Sequence, residues 1–371
     1  MAKKKTALTK KQQKQIKKFA KKNPKVFAIA LVIFIVIAVI GVGAYVLYKK
    51  SHEHKHEPIE SGEVQINFLE LGNDRIGDST FIQVGNVDIL IDAGSRRNSA
   101  ETIEKFMKER MSDNKIEYVI ATHAHEDHIA GFVGTTGKNA YGGIFDHFDV
   151  GTLIQFDRAD TTSTLYSEYC TKVETLKSKG TKVYKASECV KNPFTLDDKI
   201  YLEILDQKYY YEKSSTENNY SVCALLSQGD NHYLFTGDLE KSGEESLVAK
   251  NKLPHCELFK GGHHGSETSN NDCLLDVITP DNICICTCCG SDEYASNPAL
   301  FPNQITIDRM AKHTDKIYVT ASYQDKVYQP MNGNITFKCK NGVDYEIHGS
   351  NNDTILKDTD WFKAHRTWPN S

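Results

Sequence analysis

Two histidines one residue apart, followed by a carboxylate and a third histidine, form the most chemically suggestive run in the chain: His123-Ala124-His125-Glu126-Asp127-His128. The run directly follows the apolar stretch Ile116–Ala121 (IEYVIA), which reads as a buried strand. Alternation along extended backbone points His123 and His125 the same way, so both can reach one metal ion. Asp127 and His128 then enter a helical turn and face a position a few ångströms further on. Such a layout suits two adjacent divalent ions. Imidazole and carboxylate ligands favour zinc, with manganese or iron as rarer occupants.

These side chains need strands and helices to hold them. Val64–Leu71 (VQINFLEL) and Phe81–Ile91 (FIQVGNVDILI) read as strands, separated by the turn-rich GNDRIGDS. Ser99–Met111 has helical spacing. Gly151–Gln155 and Thr181–Tyr184 read as strands flanking a helix around Ser163–Ser178. After Leu196 strands dominate, at Ile200–Leu205, Val222–Ser227 and His232–Thr236. A helix at Lys241–Lys250 follows, then strands at Glu257–Lys260 and Asn282–Thr287. This order suits an α/β protein with two sheets sandwiched between helices.

His-x-His-x-Asp-His resembles the signature of the metallo-β-lactamase superfamily, and further likenesses occur in order along the chain. Ile91-Asp92-Ala93-Gly94 is similar to the family's strand-end Asp-x-Gly, and Phe235-Thr236-Gly237-Asp238 to its Thr-Gly-Asp. Lys260-Gly261-Gly262-His263-His264-Gly265-Ser266 resembles the Gly-His-His-Gly-Ser of one branch. That branch includes the exported domain of the DNA-uptake protein ComEC and bacterial phosphorylcholine esterases. Asn218-Asn219-Tyr220-Ser221 and the segment ending in Asn297-Pro298 are also similar to it. The likeness covers about residues 64–340.

The resemblance implies a four-layer αββα sandwich and a dinuclear site. His123 and His125 would hold the first metal; Asp127, His128 and one of His263 or His264 the second, with His263 favoured. Asp238 would bridge the two, and a shared hydroxide would attack the substrate. Asp127, His264 and Asp92 are expected to carry the catalysis. His264 would stabilise or protonate a leaving group, and Asp92 would orient the ligands through hydrogen bonds. Ser266, Thr268 and Ser269 could reach substrate oxygens, although loop-stabilising roles are commoner for such hydroxyls. Two departures stand out. Relatives often supply a third histidine to the first metal, and here that interval offers only His147, read as an edge residue, and His232, read as an exposed turn residue. Asn297 also stands where this branch often has histidine.

Composition bounds the setting. Residues 1–50 hold thirteen lysines and no acidic residue, so residues 51–371 have 32 basic against 49 acidic side chains, a formal −17. Val26–Tyr48 is an uncharged apolar run of 23 residues, enough for a helix across about 30 Å of hydrocarbon. The lysines before it place the N-terminus in the cytoplasm and the remainder outside; a cleaved signal peptide would also export the domain. The expected division is a basic tail over 1–25, a transmembrane helix over 26–48 and a His/Glu-rich linker over 49–62. The hydrolase domain follows over 63–349 and a tail over 350–371.

Ten cysteines follow no regular framework, and most read as small buried residues, with one or two disulfides possible. ICICTCC places Cys284, Cys286 and Cys288 on one strand face, poor geometry for a closed metal site. Trp361 and Trp368 suggest a packing latch. The expected protein is a membrane-anchored, extracellular zinc hydrolase of phosphodiesters, acting on nucleic acid or a cell-wall polymer. The −17 domain, with no visible basic stripe, argues against a nuclease. Hydrolysis of carboxylic esters or lactones, and a non-catalytic surface module that binds or holds metal, are the alternatives.

Overall fold

The computed structural model describes residues 24–25, 59–291, 293 and 301–369. The expected transmembrane helix at 26–48, most of the basic tail and linker, and Asn297-Pro298 lie outside the described residues. Among the described residues, no helix is long and apolar enough to cross a membrane. All the elements below belong to one compact unit, His56–Ser371.

In chain order the first half comprises β1 (Glu63–Phe68), β2 (Thr80–Val84), β3 (Val87–Ile91), α1 (Ser99–Lys108), β4 (Lys115–Ala121) and α2 (Glu126–Val133). It continues through α3 (Ile144–His147), β5 (Asp149–Gln155), α4 (Thr164–Ser178), β6 (Lys182–Lys185) and α5 (Ala186–Cys189). The second half runs β7 (Phe194–Asp197), β8 (Ile200–Ile204), β9 (Ala224–Gln228), β10 (Asn231–Phe235), α6 (Lys241–Lys250), β11 (Leu258–Lys260), α7 (Asp272–Ile278) and β12 (Asn282–Cys289). It closes with α8 (Gln304–Met310), β13 (Ile317–Gln324), β14 (Val327–Pro330), β15 (Ile335–Lys340), β16 (Asp344–Gly349) and α9 (Asp360–His365).

The strands form two eight-stranded sheets, ordered β16-β15-β1-β2-β3-β4-β5-β6 and β14-β13-β12-β11-β10-β9-β8-β7. Each contains a parallel run, β3 to β6 in one and β10 to β13 in the other. Alternation along the second sheet explains its two buried faces. Ala224, Leu226, Tyr233, Phe235, Cys284 and Cys286 face one core, which also holds Phe68, Ile82 and Phe337 of the first sheet. Leu225, Leu234, Ile283 and Ile285 face a second core with Leu247, Leu274 and Ile307 of the helices. Helices α1, α2 and α4 bury Ile103, Phe132 and Tyr169 against the first sheet. The layers are therefore helix, sheet, sheet, helix, as the alternating pattern predicts.

Three local readings change. The single strand expected over Phe81–Ile91 is a hairpin, because Gly85 takes φ 55 at the first central turn position and folds β3 back on β2. His232 lies half-buried within β10, with its Nδ1 3.1 Å from Ser227 Oγ, not in an exposed turn. All ten cysteines are free, so neither of the disulfides the sequence allowed forms; along β12 alternation puts Cys284 and Cys286 in the first core and Cys289, with Ile283 and Ile285, in the second. Trp361 and Phe362 are buried in that second core with Trp368 packed on it, so the C-terminal segment latches onto the helices.

Candidate metal centre

The site gathers at the C-terminal ends of four parallel strands, two from each sheet. Asp92 follows β3, His123 follows β4, Asp238 follows β10, and His263 and His264 follow β11. Strand ends are where loops can turn side chains out of the sheet, and open α/β folds use this edge for binding.

Close backbone contact fixes the first group. The Ala93 amide donates to the His128 carbonyl at 2.8 Å, and the Asp78 amide to the Asp127 carbonyl at 3.0 Å. A Cβ on Gly94 would fall 1.5 Å from the Asp127 carbonyl oxygen, so only glycine lets this loop meet the start of α2. Asp92 adopts φ 58, tolerable for aspartate. Its carboxylate accepts from the Thr122 amide at 2.8 Å and the Thr122 hydroxyl at 2.7 Å, and lies 2.7 Å from His128 Nδ1.

In the second group, Gly237 supplies a left-handed turn (φ 55), and the Asp238 amide donates to Ser221 Oγ at 3.0 Å. His263 and His264 both have positive φ, 49 and 54. Strained conformations of this kind cost about 1–3 kcal/mol each and persist only where the surroundings impose them. Asn270 imposes one limit: its side chain accepts from the Gly262 amide at 2.7 Å and donates to the Gly262 carbonyl at 2.8 Å. Buried Glu244 in turn accepts the Asn270 and Asn271 amides at 2.6 and 3.0 Å. Burial raises its pKa to about 7. Ser269 donates to the Leu239 carbonyl, and the Thr268 hydroxyl lies 3.0 Å from His263 Nδ1; these hydroxyls serve the loop.

The two groups meet on Asp238. His128 Nε2 lies 3.1 Å from its Oδ2, His264 Nε2 3.5 Å, and His123 and His263 Nε2 3.8 Å each. Asp127 Oδ2 lies 3.3 Å from His264 Nε2. His125, half-buried, has its Nδ1 3.0 Å from His123 Nε2. Every residue expected at the site is thus brought together. Both His263 and His264 approach Asp238, and His264 is the nearer and the more buried. His147 and His232 are engaged elsewhere: His147 pairs with Glu104 and stacks on Tyr141, and His232 meets Ser227.

The donor set fits a metal. Asp78, His128, Asp238 and His264, all buried, each bring one ligand atom within 4.8 Å of the others. Nδ1 of His128 faces Asp92, and Nδ1 of His264 lies 2.9 Å from the Cys286 carbonyl. Each ring proton is thereby drawn to Nδ1, leaving the Nε2 lone pair for a metal. Asp238 Oδ1 and His264 Nε2 are buried without a hydrogen-bond partner. Buried polar atoms seldom stay unpaired, and a cation would satisfy these.

Electrostatics follow from the same contacts. Burial alone would hold His128 and His264 neutral. The Asp238 carboxylate, with Asp92 beside His128 and Asp78 beside His264, outweighs that effect and raises both well above the usual histidine range. Burial dominates at His123 and pushes it down. For Asp238 the neighbouring histidines overcome burial and hold the carboxyl well below its usual value. Beside these groups a cleft of ≈ 420 Å³ is lined by His125, Glu126, Asp127, His263, His264 and Phe301.

Asp78, Lys260 and Glu244 were not singled out as site residues from the sequence. Lys260 carried the readable signal, a lysine closing an apolar strand just before Gly-Gly-His-His. Asp78 was hidden in a stretch whose composition says only "turn".

Residues 72–138 match the family model of the metallo-beta-lactamase superfamily. Over 105 residues the chain is 30% identical to Recombination protein 2 of Haemophilus influenzae, covering 28% of this chain and 12% of that protein. Over 131 residues it is 26% identical to ComE operon protein 3 of Bacillus subtilis, covering 35% and 15%. The matched region is thus a small part of either relative. Among solved structures, the metallo-beta-lactamase fold protein YhfI from Bacillus subtilis aligns over 75% of this chain and 100% of its own, at 8% identity and a TM-score of 0.42. The family match, the motif order and the paired sheets together give this chain a metallo-β-lactamase fold, and its sequence resembles the ComEC-like competence proteins.

Proposed function

We propose that the chain is a metal-dependent phosphodiesterase, anchored in the cell membrane with its catalytic domain outside. The observation that carries the hydrolase reading is the convergence of His123, His128, His263 and His264 on one buried carboxylate, Asp238. His123 and His125 would hold one zinc; Asp127, His128 and His264 the other, with Asp238 between them. His264 takes the ligand place first expected of His263, because its Nε2 faces Asp127 as well as Asp238. Zinc bound there supplies Lewis acidity and brings the pKa of a coordinated water to about 7.

The chain's own residues do the rest. Asp92 holds the His128 ring in place through Nδ1. His263, with 19% of its side chain exposed, borders the cleft with its Nδ1 3.0 Å from the Thr268 hydroxyl, and burial lowers its pKa, so it would act there as a neutral hydrogen-bonding group towards substrate. Phe301 walls the cleft, its ring centroid 6.1 Å from that of His263.

Phosphodiesters are favoured by the likeness to the Gly-His-His-Gly-Ser branch. The −17 balance of residues 51–371 and Glu126 in the cleft wall favour a sparsely charged wall-type substrate over a long polyanion. The lysine tract and Val26–Tyr48 support the membrane placement. The test is a panel of a chromogenic phosphodiester, a carboxylic ester and a lactone, offered to the zinc-loaded full chain and to Asp238→Ala. Turnover of the diester alone, lost in the variant, supports the reading. Ester or lactone turnover without diester turnover moves the assignment, and none at all favours a metal-holding module.

A further inference from the structure

Asp78 and Lys260 form an ion pair immediately behind the metal pocket, and both are only 3% exposed. Asp78 lies against three of the residues proposed to hold the second metal, Asp127, His128 and His264. Its amide donates to the Asp127 carbonyl at 3.0 Å, and its carbonyl accepts from Gly94 at 2.9 Å. Its Oδ1, buried without a hydrogen bond of its own, lies 3.2 Å from His264 Nδ1, whose hydrogen bond goes to the Cys286 carbonyl, and its Oδ2 lies 3.9 Å from His128 Nδ1. Lys260 is the last residue of β11, two positions before the turn that carries His263 and His264.

Stability is a poor reason for such a pair. Removing two charges from water costs several kcal/mol per ion, and apolar residues of similar volume often serve a core as well or better. A cation buried beside a cation-binding pocket is costlier still, because it repels the ion the pocket collects. Asp78 also offers an oxygen within 4.8 Å of donors on His128, Asp238 and His264. Left unpaired, it would compete to join the ligand set.

We propose that Asp78 is a positioning residue that holds the His264 ring with Nε2 towards Asp127 and Asp238, and that Lys260 is the counter-ion that keeps Asp78 out of the ligand set. The inference rests on the metal-binding reading above. It predicts opposite effects from the two partners, which a pair acting only as structural glue does not.

The experiment measures zinc affinity of the full chain by competition with a chromophoric chelator, with thermal stability recorded in parallel. Lys260→Met frees the Asp78 carboxylate beside the pocket, and zinc should bind about tenfold more tightly. Asp78→Ala leaves an unbalanced cation and a loosened His264, and zinc should bind ten- to a hundred-fold more weakly, about the usual cost of losing an outer-shell partner. The double variant should fall between the two. If Asp78→Ala does not fold, Asp78→Asn keeps an acceptor but removes the charge, and should still weaken binding. Shifts in the same direction, or unchanged affinity with only stability altered, would overturn the inference and leave the metal reading standing. A wild-type chain that takes up no zinc would overturn both.

Discussion

The two sheets deliver their halves of the site in matching positions but by different means. In each, an aspartate follows one parallel strand and a histidine-bearing turn follows the next: Asp92 and His123–His128 after β3 and β4, Asp238 and His263–His264 after β10 and β11. Asp92 itself takes the left-handed conformation, which turns its carboxylate onto Thr122 and the back of His128. In the second half Gly237 takes that conformation one residue earlier, and the Asp238 carboxylate reaches the Nε2 side of the histidines instead. In the proposed centre one carboxylate would orient a ligand while the other would be one. The backbones differ likewise. His128 lies in the first turn of a regular helix, whereas His264 depends on a strained turn held by Asn270, Glu244 and Asp78.

The contrast is sharpest at the two aspartates. Asp238→Ala should abolish the shared ligand and lower turnover by about three orders of magnitude, equivalent to about 4 kcal/mol of transition-state stabilisation. Steady-state kinetics under zinc saturation would show this as a loss of kcat that added metal does not restore. Asp92→Ala removes the partner of His128 Nδ1 and the acceptor of the Thr122 amide and hydroxyl, but no proposed ligand atom. Zinc affinity should fall ten- to a hundred-fold, while kcat recovers substantially at high zinc. Equal, unrecoverable losses in the two variants would erase the distinction between orienting and ligating.

Gly94→Ala tests whether the first half is fixed through its backbone. The added methyl meets the Asp127 carbonyl, and urea denaturation should show a loss of about 3 kcal/mol, at the upper end for an overpacked core. The smallest effect belongs to a charged cluster outside the centre. Glu104 accepts from Lys108 and Tyr141 and pairs with His147; burial opposes its charge, but these partners outweigh it and lower its pKa to about 2. A depressed carboxyl pKa contributes stability above the ordinary glutamate value, lost as pH falls towards the folded value. The melting difference between wild type and Glu104→Gln should therefore be constant near neutrality and shrink between about pH 4.5 and pH 2. Metal affinity should be unaffected.

This comparison also explains what the sequence revealed. His123, His125, Asp127 and His128 are contiguous and follow an apolar strand, so their convergence needs only local geometry. The helix at Ser99 was legible for the same reason: its apolar spacing lies within the segment. Asp78 was not, because its meaning depends on Lys260, far along the chain in the other sheet. The choice between His263 and His264 rested on two left-handed residues and the carbonyl of Cys286, none of which leaves a mark on spacing. The hairpin at Gly85 did leave a mark, a Gly-Asn pair between two valines, but the strand-forming residues on both sides outweighed it. The β1–β15 pairing joins strands from opposite ends of the domain and sets its register by long-range contact alone.

The most direct test of the central claim is a zinc titration of the full chain, made metal-free with a chelator, following hydrolysis of a chromogenic phosphodiester at each addition. Hydrolysis that is absent at the start, rises with zinc and saturates near two equivalents is the predicted result. A folded chain that binds zinc and hydrolyses no diester at any loading would contradict it.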